Sequence, residues 1–158
     1  MSTTMTPHPY DLPAATHAYL ERSARSLREA ITTSEVTLRY AFAHVAALRA
    51  TAALLAARAH PTPGPAKRGR VQKNAWVLLA EVAPEFSEWA AFFAAGAGKR
   101  AAAEAGSTRA VTEREADDLV RDADRFLGLV EQSLGLTRHV PFQETLPTES
   151  TPGWRGVA

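Results

Sequence analysis

From Leu38 to about Ala59 the chain is one alanine-rich run, with Leu38, Phe42, Val45, Leu48, Ala52, Leu55 and Ala59 forming an apolar stripe at helical spacing. Alanine has the best helix propensity of any residue, so a run of this kind commits the chain to a long helix. Alanine is also the commonest residue throughout, and runs of β-branched residues are few. Both features favour an all-α fold. A length of 158 residues fits one domain with tails and is long enough to bury a hydrophobic core.

The remaining periodicity predicts where the other helices lie. Residues 1–12 read as a disordered N-terminal arm. Pro13 suits a first helical turn, and Leu20, Ala24, Leu27 and Ile31 repeat along one face, predicting a helix over 13–31. Thr32 and Glu35 match a capping box that would start the second helix near 33. Residues 60–73 hold three prolines, two glycines and four cations, and read as a basic loop. A short helix follows over about 74–83. Pro84 then opens a fourth helix carrying Phe86, Trp89, Ala90 and Phe93, weakened further on by Gly96, Gly98 and Gly106. A second capping box, Thr112 to Glu115, opens the last helix, which has the cleanest stripe, from Ala116 through Leu134. Residues 135–158 lose periodicity and read as a disordered tail. The expected fold is an antiparallel bundle of four main helices plus one short helix, spanning residues 13–134.

Charge is close to balanced overall, at +1, but unevenly placed. Between Val36 and Ala80 there are seven basic residues and no acidic one; between Thr112 and Leu134 there are seven acidic residues and three arginines. Basic and acidic helices packed together would explain this, and so would an anion-binding surface on the basic half. Arginine outnumbers lysine fifteen to three, a bias that a GC-rich genome produces without any nucleic-acid role. The absence of cysteine excludes disulfides and thiolate metal sites and fits a reducing cytoplasm. The five histidines, at 8, 17, 44, 60 and 139, have no metal-ligand spacing, so no metal or cofactor is expected. No secretory leader and no run of 18 apolar residues is visible, which predicts a cytoplasmic protein without a membrane span.

The helix Arg39-Tyr40-Ala41-Phe42-Ala43-His44-Val45-Ala46-Ala47-Leu48-Arg49 resembles the alanine-rich second helix of HEPN domains. The blocks Ala75–Leu79, Pro84–Phe93 and Arg114–Leu119 are similar to one small actinobacterial HEPN family. The likeness covers roughly residues 13–134. It implies a four- or five-helix bundle, frequent homodimers and an RNA or nucleotide connection. Many members are metal-independent ribonucleases of toxin, defence or RNA-processing systems; others have lost catalysis and act as binding or assembly modules.

Catalytic members carry an arginine four to six residues before a histidine near the start of a late helix, and two copies meet across a dimer. The arginine steadies phosphate charge and the histidine acts on the attacking 2′-OH. Arg39 and His44 have that spacing but lie on the second helix. Five residues of regular helix turn through about 500°, which sets the two side chains roughly 140° apart. His44 borders the apolar stripe and is expected as a hydrogen-bonded, semi-buried histidine. Arg49 falls inside the apolar arc, where a guanidinium needs a partner, and the acidic residues Asp117, Asp118 and Asp122 of the last helix are the expected salt-bridge partners. Lys67, Arg68, Arg70 and Lys73 are the candidate anion or nucleic-acid contacts. The aromatic residues read as core, except Phe92, which is out of phase and could extend toward a dimer partner. The favoured reading is a HEPN-like binding or assembly module without catalysis, homodimeric and associated with RNA or nucleotides. The alternative is a metal-independent ribonuclease using Arg39 and His44 across a dimer.

Overall fold

The computed structural model describes residues 11–58 and 74–142, and within them the chain is all-α, with no strand. Six helices follow in order: α1 (Ala14–Thr32), α2 (Val36–Arg58), α3 (Ala75–Val82), α4 (Ser87–Ala95), α5 (Ala97–Glu104) and α6 (Glu113–Ser133), with a 3₁₀ turn at Pro84–Phe86 before α4. Three helices are long and three short. The single fourth helix expected after Pro84 is two, because the chain breaks at Gly96. Lys67, Arg68, Arg70 and Lys73, with the rest of the basic loop, lie outside the described residues, as do residues 1–10 and 143–158.

α2 is the axis of the molecule. It packs on α1, α3, α5 and α6. Alanines at 43, 46, 47, 50 and 53 are all fully buried and recur on one face of α2, whereas the expected stripe is only half-buried at Phe42, Val45, Leu48, Ala52 and Leu55 and exposed at Leu38. Small side chains let several neighbours approach one helix at once, which is why α2 is apolar around much of its circumference. By length and composition alone α2 could cross a membrane, yet 56% of its most apolar window is buried inside the protein.

α1 and α2 form an antiparallel hairpin held by unusual cross-links. The Thr16 hydroxyl donates to the Ala53 carbonyl at 3.0 Å, and the Ser23 hydroxyl to that of Ala46 at 2.7 Å. Both hydroxyls are buried, so the bonds satisfy groups that would otherwise be costly to enclose. The expected box at Thr32 does not form. Thr32 closes α1, with its hydroxyl donating to the carbonyls of Arg28 and Glu29, and Thr33 Oγ1 instead accepts from the Glu35 N–H, so α2 begins at Val36. The Thr112–Glu115 cap forms as expected, with Thr112 Oγ1 accepting from the Glu115 N–H at 3.1 Å. The first turns of α2 and α6 lie together, joined by Arg39 and Asp117, so an all-antiparallel arrangement does not describe this pair.

Aromatic rings fill the space between α3, α4 and α6. Phe93 stacks on Trp76 at 5.1 Å on one side and on Trp89 at 5.8 Å on the other, and Phe126 of α6 meets it edge-on at 5.1 Å. Beyond α6 the chain does not run free. Gly135, at φ +77°, supplies the left-handed residue of a helix stop in which the Leu136 N–H reaches the Glu131 carbonyl at 2.9 Å and the Gly135 N–H reaches that of Gln132 at 3.1 Å. Residues 136–142, expected as part of the disordered tail, turn back along α6 as a strap.

Candidate functional site

A cleft of about 410 Å³ opens between α2, α4, α5 and α6. Tyr40 and His44, one turn apart on α2, form its back; Phe92 and Phe93 of α4 form an aromatic wall; Lys99 of α5 and Glu115, Asp118 and Asp122 of α6 form a charged rim. Gly96 keeps it open: a Cβ there would sit 3.0 Å from the Tyr40 hydroxyl oxygen and 3.7 Å from the His44 ring.

His44 is 1% exposed, more deeply buried than expected, and is wedged edge-on against Trp76 and Phe93. Its Nε2 lies 3.0 Å from the Phe93 carbonyl oxygen. A carbonyl can only accept, so Nε2 carries the proton and Nδ1 is a bare lone pair. That Nδ1 is buried with no hydrogen-bond partner among the described residues. Burial disfavours the imidazolium most strongly, the Phe93 carbonyl opposes it and Arg100 adds repulsion, so the pKa falls below the ordinary 6.5. The ring is neutral at physiological pH.

Arg39 does not join it. Its guanidinium donates to Asp117 Oδ1 at 2.6 Å and to the Thr33 carbonyl at 3.3 Å, tying the start of α2 to α6 and to the α1–α2 turn. Arg39 lines no part of the cleft that His44 borders. Arg49 also differs from expectation. It turns to α1, donating to Ser26 Oγ at 2.7 Å and to the Arg22 carbonyl at 3.3 Å, and pairs with none of Asp117, Asp118 or Asp122. The arc on which Arg49 sits is only half-buried, and α1 lies beside it with the backbone and hydroxyl oxygens that accept from the guanidinium. Asp117 is Arg39's partner, and Asp118 is held by Arg121 at 2.8 Å with Arg114 at 4.0 Å.

The rim is electrostatically uneven. Lys99 and Glu115 form an ion pair, which raises the lysine pKa and lowers that of the carboxylate. Asp122 has no ion pair among the described residues. Burial, then the neighbouring Asp118, raises its pKa above its ordinary value, against the opposing pull of Arg125 and Arg121. Tyr40 is raised as well, chiefly by burial. A wall of aromatic carbon with an unpaired carboxylate on its edge suits a flat ligand bearing N–H donors. It lacks a nucleophile hydrogen-bonded to a base, the pairing that covalent catalysis requires. No group of three or more metal-ligating side chains occurs among the described residues.

Tyr40, Gly96, Lys99 and Glu115 are not among the site residues expected from the sequence, where Glu115 stands out only as a cap and Gly96 only as a helix-weakening glycine. Tyr40 stands four residues before His44, a spacing that puts both on one helix face, and that signal was available. The Lys99–Glu115 pairing depends on how α5 packs against α6 and leaves no trace in spacing.

An all-α chain built around a buried, alanine-rich second helix fits the HEPN class. A family model for SAV_6107-like HEPN matches residues 30–131, about two thirds of the chain, and the protein belongs to this HEPN family. No curated protein and no solved structure shows significant similarity to the chain.

Proposed function

We propose that this HEPN protein is a non-catalytic binding and assembly module, homodimeric and associated with RNA or nucleotides. The observation that carries the reading is that Arg39 and His44 are each already engaged: the guanidinium holds Asp117, and the imidazole is neutral and buried, with its only proton given to Phe93. Neither side chain is presented for phosphoryl chemistry. The cleft supplies a binding function instead. A nucleobase fits between the aromatic wall and the rim, where Asp122 would accept its N–H groups. Val77, 48% exposed, leaves apolar surface on α3 for a second copy of the chain, whereas the exposed Phe92 belongs to the cleft wall. Lys67, Arg68, Arg70 and Lys73 would then track phosphates in a salt-dependent way.

The test combines cleavage and binding on one preparation. Single-stranded RNA incubated with the protein in chelator should remain intact, while a fluorescent oligonucleotide should bind and be released as salt rises. Asp122→Asn or Phe92→Ala should weaken that binding by roughly tenfold, the loss expected for one charge-assisted or stacking contact. Metal-independent cleavage abolished by both Arg39→Lys and the folded His44→Gln protein would overturn the non-catalytic reading in favour of a ribonuclease assembled across a dimer. Absence of any salt-sensitive binding would remove the nucleic-acid association.

A further inference from the structure

On the other side of α6 from the cleft, the strap encloses a second concavity of about 310 Å³ lined by Arg121, Asp124, Arg125, Arg138, His139 and Pro141. Its floor is a fully satisfied polar cluster. Asp124 Oδ1 meets His139 Nε2 at 2.5 Å, Asp124 Oδ2 accepts from the Phe142 N–H at 3.3 Å, and Glu131 takes both the Nδ1 and the backbone N–H of His139. Burial opposes charge on His139, but these two carboxylates outweigh it and raise its pKa to about 9. The ring is therefore an imidazolium at neutral pH, and it offsets the buried Asp124.

The walls are different. Arg121 leans on Asp118. Arg125 and Arg138 have no hydrogen bond or ion pair among the described residues, although α6 carries seven carboxylates. Arg138 is placed by an absence: a Cβ at Gly128 would sit 2.8 Å from its Nε and 3.0 Å from its Nη2. Its guanidinium thus lies against the bare Cα of a mid-helix glycine. Glycine inside a helix costs about 1 kcal/mol relative to alanine, and here the missing methyl is the room the guanidinium occupies.

We infer that this concavity is a binding site for a tetrahedral oxyanion of the phosphate class, held between the guanidinium groups of Arg125 and Arg138 with Arg121 at the rim. Planar guanidinium forks match phosphate oxygens two at a time. Three forks around one hollow offer more donors than the two oxygens of a carboxylate can accept, whereas a phosphate has three or four. Asp124 also lines the hollow, but both its oxygens are turned to the strap; His139 is shared with Glu131, so the clamp carries one net negative charge, which the three arginines outnumber. The site shares no lining residue with the cleft, but the two are neighbours on α6: Arg121 pairs with Asp118 of the cleft rim, and Arg121 and Arg125 lie close enough to Asp122 to oppose the rise in its pKa.

The source of the phosphate, free anion or terminal monoester, is separated by the probes. Inorganic phosphate, a 5′-phosphorylated dinucleotide, its unphosphorylated counterpart and acetate are titrated at neutral pH and constant ionic strength, with amide chemical shifts as the readout. Saturable shifts at Arg125 and Arg138–His139, away from the cleft residue Asp122, are expected with both phosphates and with neither control. A terminal monoester is indicated if the dinucleotide binds more tightly than phosphate, and the free anion if it does not. Arg125→Ala and Arg138→Lys should each weaken binding by about tenfold, one charge-assisted contact in the first case and a lost fork in the second. Gly128→Ala should weaken it while leaving the thermal midpoint unchanged or higher, since the methyl displaces only the far end of one side chain. Phe92→Ala, which tests the cleft without changing any charge near the arginines, should leave the phosphate titration unchanged. Shifts that do not saturate, that acetate reproduces, or that survive the Arg125→Ala/Arg138→Ala double change would overturn the site.

Discussion

The Phe93 carbonyl and the His44 ring depend on each other. The carbonyl comes near the end of α4, where the helix gives way to Gly96, and the imidazole of α2 supplies a donor to it from outside the helix. Truncation would remove packing against Trp76 and Phe93 and leave that carbonyl without its side-chain donor in a dry core. His44→Ala should therefore cost about 2–4 kcal/mol of stability, chiefly as a cavity, since the Phe93 carbonyl keeps the Gly96 N–H at 3.1 Å. His44→Gln, which can still donate, should cost less. Urea unfolding of both variants checks the order, and equal losses would mean that packing alone matters. Arg39 and His44 illustrate what spacing can and cannot convey. Their angular divergence on α2 follows from helix geometry and was legible. That Asp117 would take Arg39 and that Ser26 would take Arg49 was not, because in a helix this rich in alanine the large apolar residues mark a half-buried arc, and the alanine face that is fully buried does not stand out.

Helices announce themselves unequally. α6 was readable from cap to stop because one face is polar, one is apolar, and its signals at Thr112 and Gly135 coincide with the pattern. The break between α4 and α5 was only half visible, since glycine weakens a helix without saying whether the chain bends or continues. The strap was invisible, because its anchors are polar and pair with residues far back in α6. Those anchors make its docking depend on pH. His139 rises from an ordinary 6.5 when unfolded to about 9 when docked, so it binds a proton more tightly in the folded state. Its contribution is complete below about pH 6.5, declines as pH rises, and is lost above about 9. The facing groups are Asp124 and Glu131 on α6, with Arg125 and Arg138 nearby on the rim. The shift corresponds to about 1–3 kcal/mol once partial exposure is discounted. An NMR titration of His139 should show a midpoint near 9, with faster amide exchange at 136–142 above it. A midpoint near the ordinary value would mean the clamp does not form.

One contiguous core joins every helix, from Leu27 of α1 through Leu54, Leu79, Phe93 and Ala103 to Val130 of α6. The family match begins at residue 30 and leaves most of α1 outside it. Even so, α1 contributes Thr16, Ser23 and Ser26 to buried or half-buried bonds with α2. It should therefore unfold together with the rest. Thermal transitions followed by helical circular dichroism and by tryptophan fluorescence should coincide, and an early helical loss without a fluorescence change would mark α1 as a separate unit. The lopsided charge resolves partly in the same way: Arg39 of the basic stretch meets Asp117 of the acidic helix, whereas Arg49 finds neutral partners.

The strap also decides where the polypeptide leaves the bundle. Its reversal at Gly135 carries Phe142 back beside Asp124, under the guanidinium of Arg28 at 5.6 Å from the ring. Whatever is joined after residue 142 is thus tethered at the flank of α1 and α6, well short of the helix tip. Releasing the imidazolium clamp would lengthen that tether by the strap's own seven residues, turning a change in proton concentration into a change in reach.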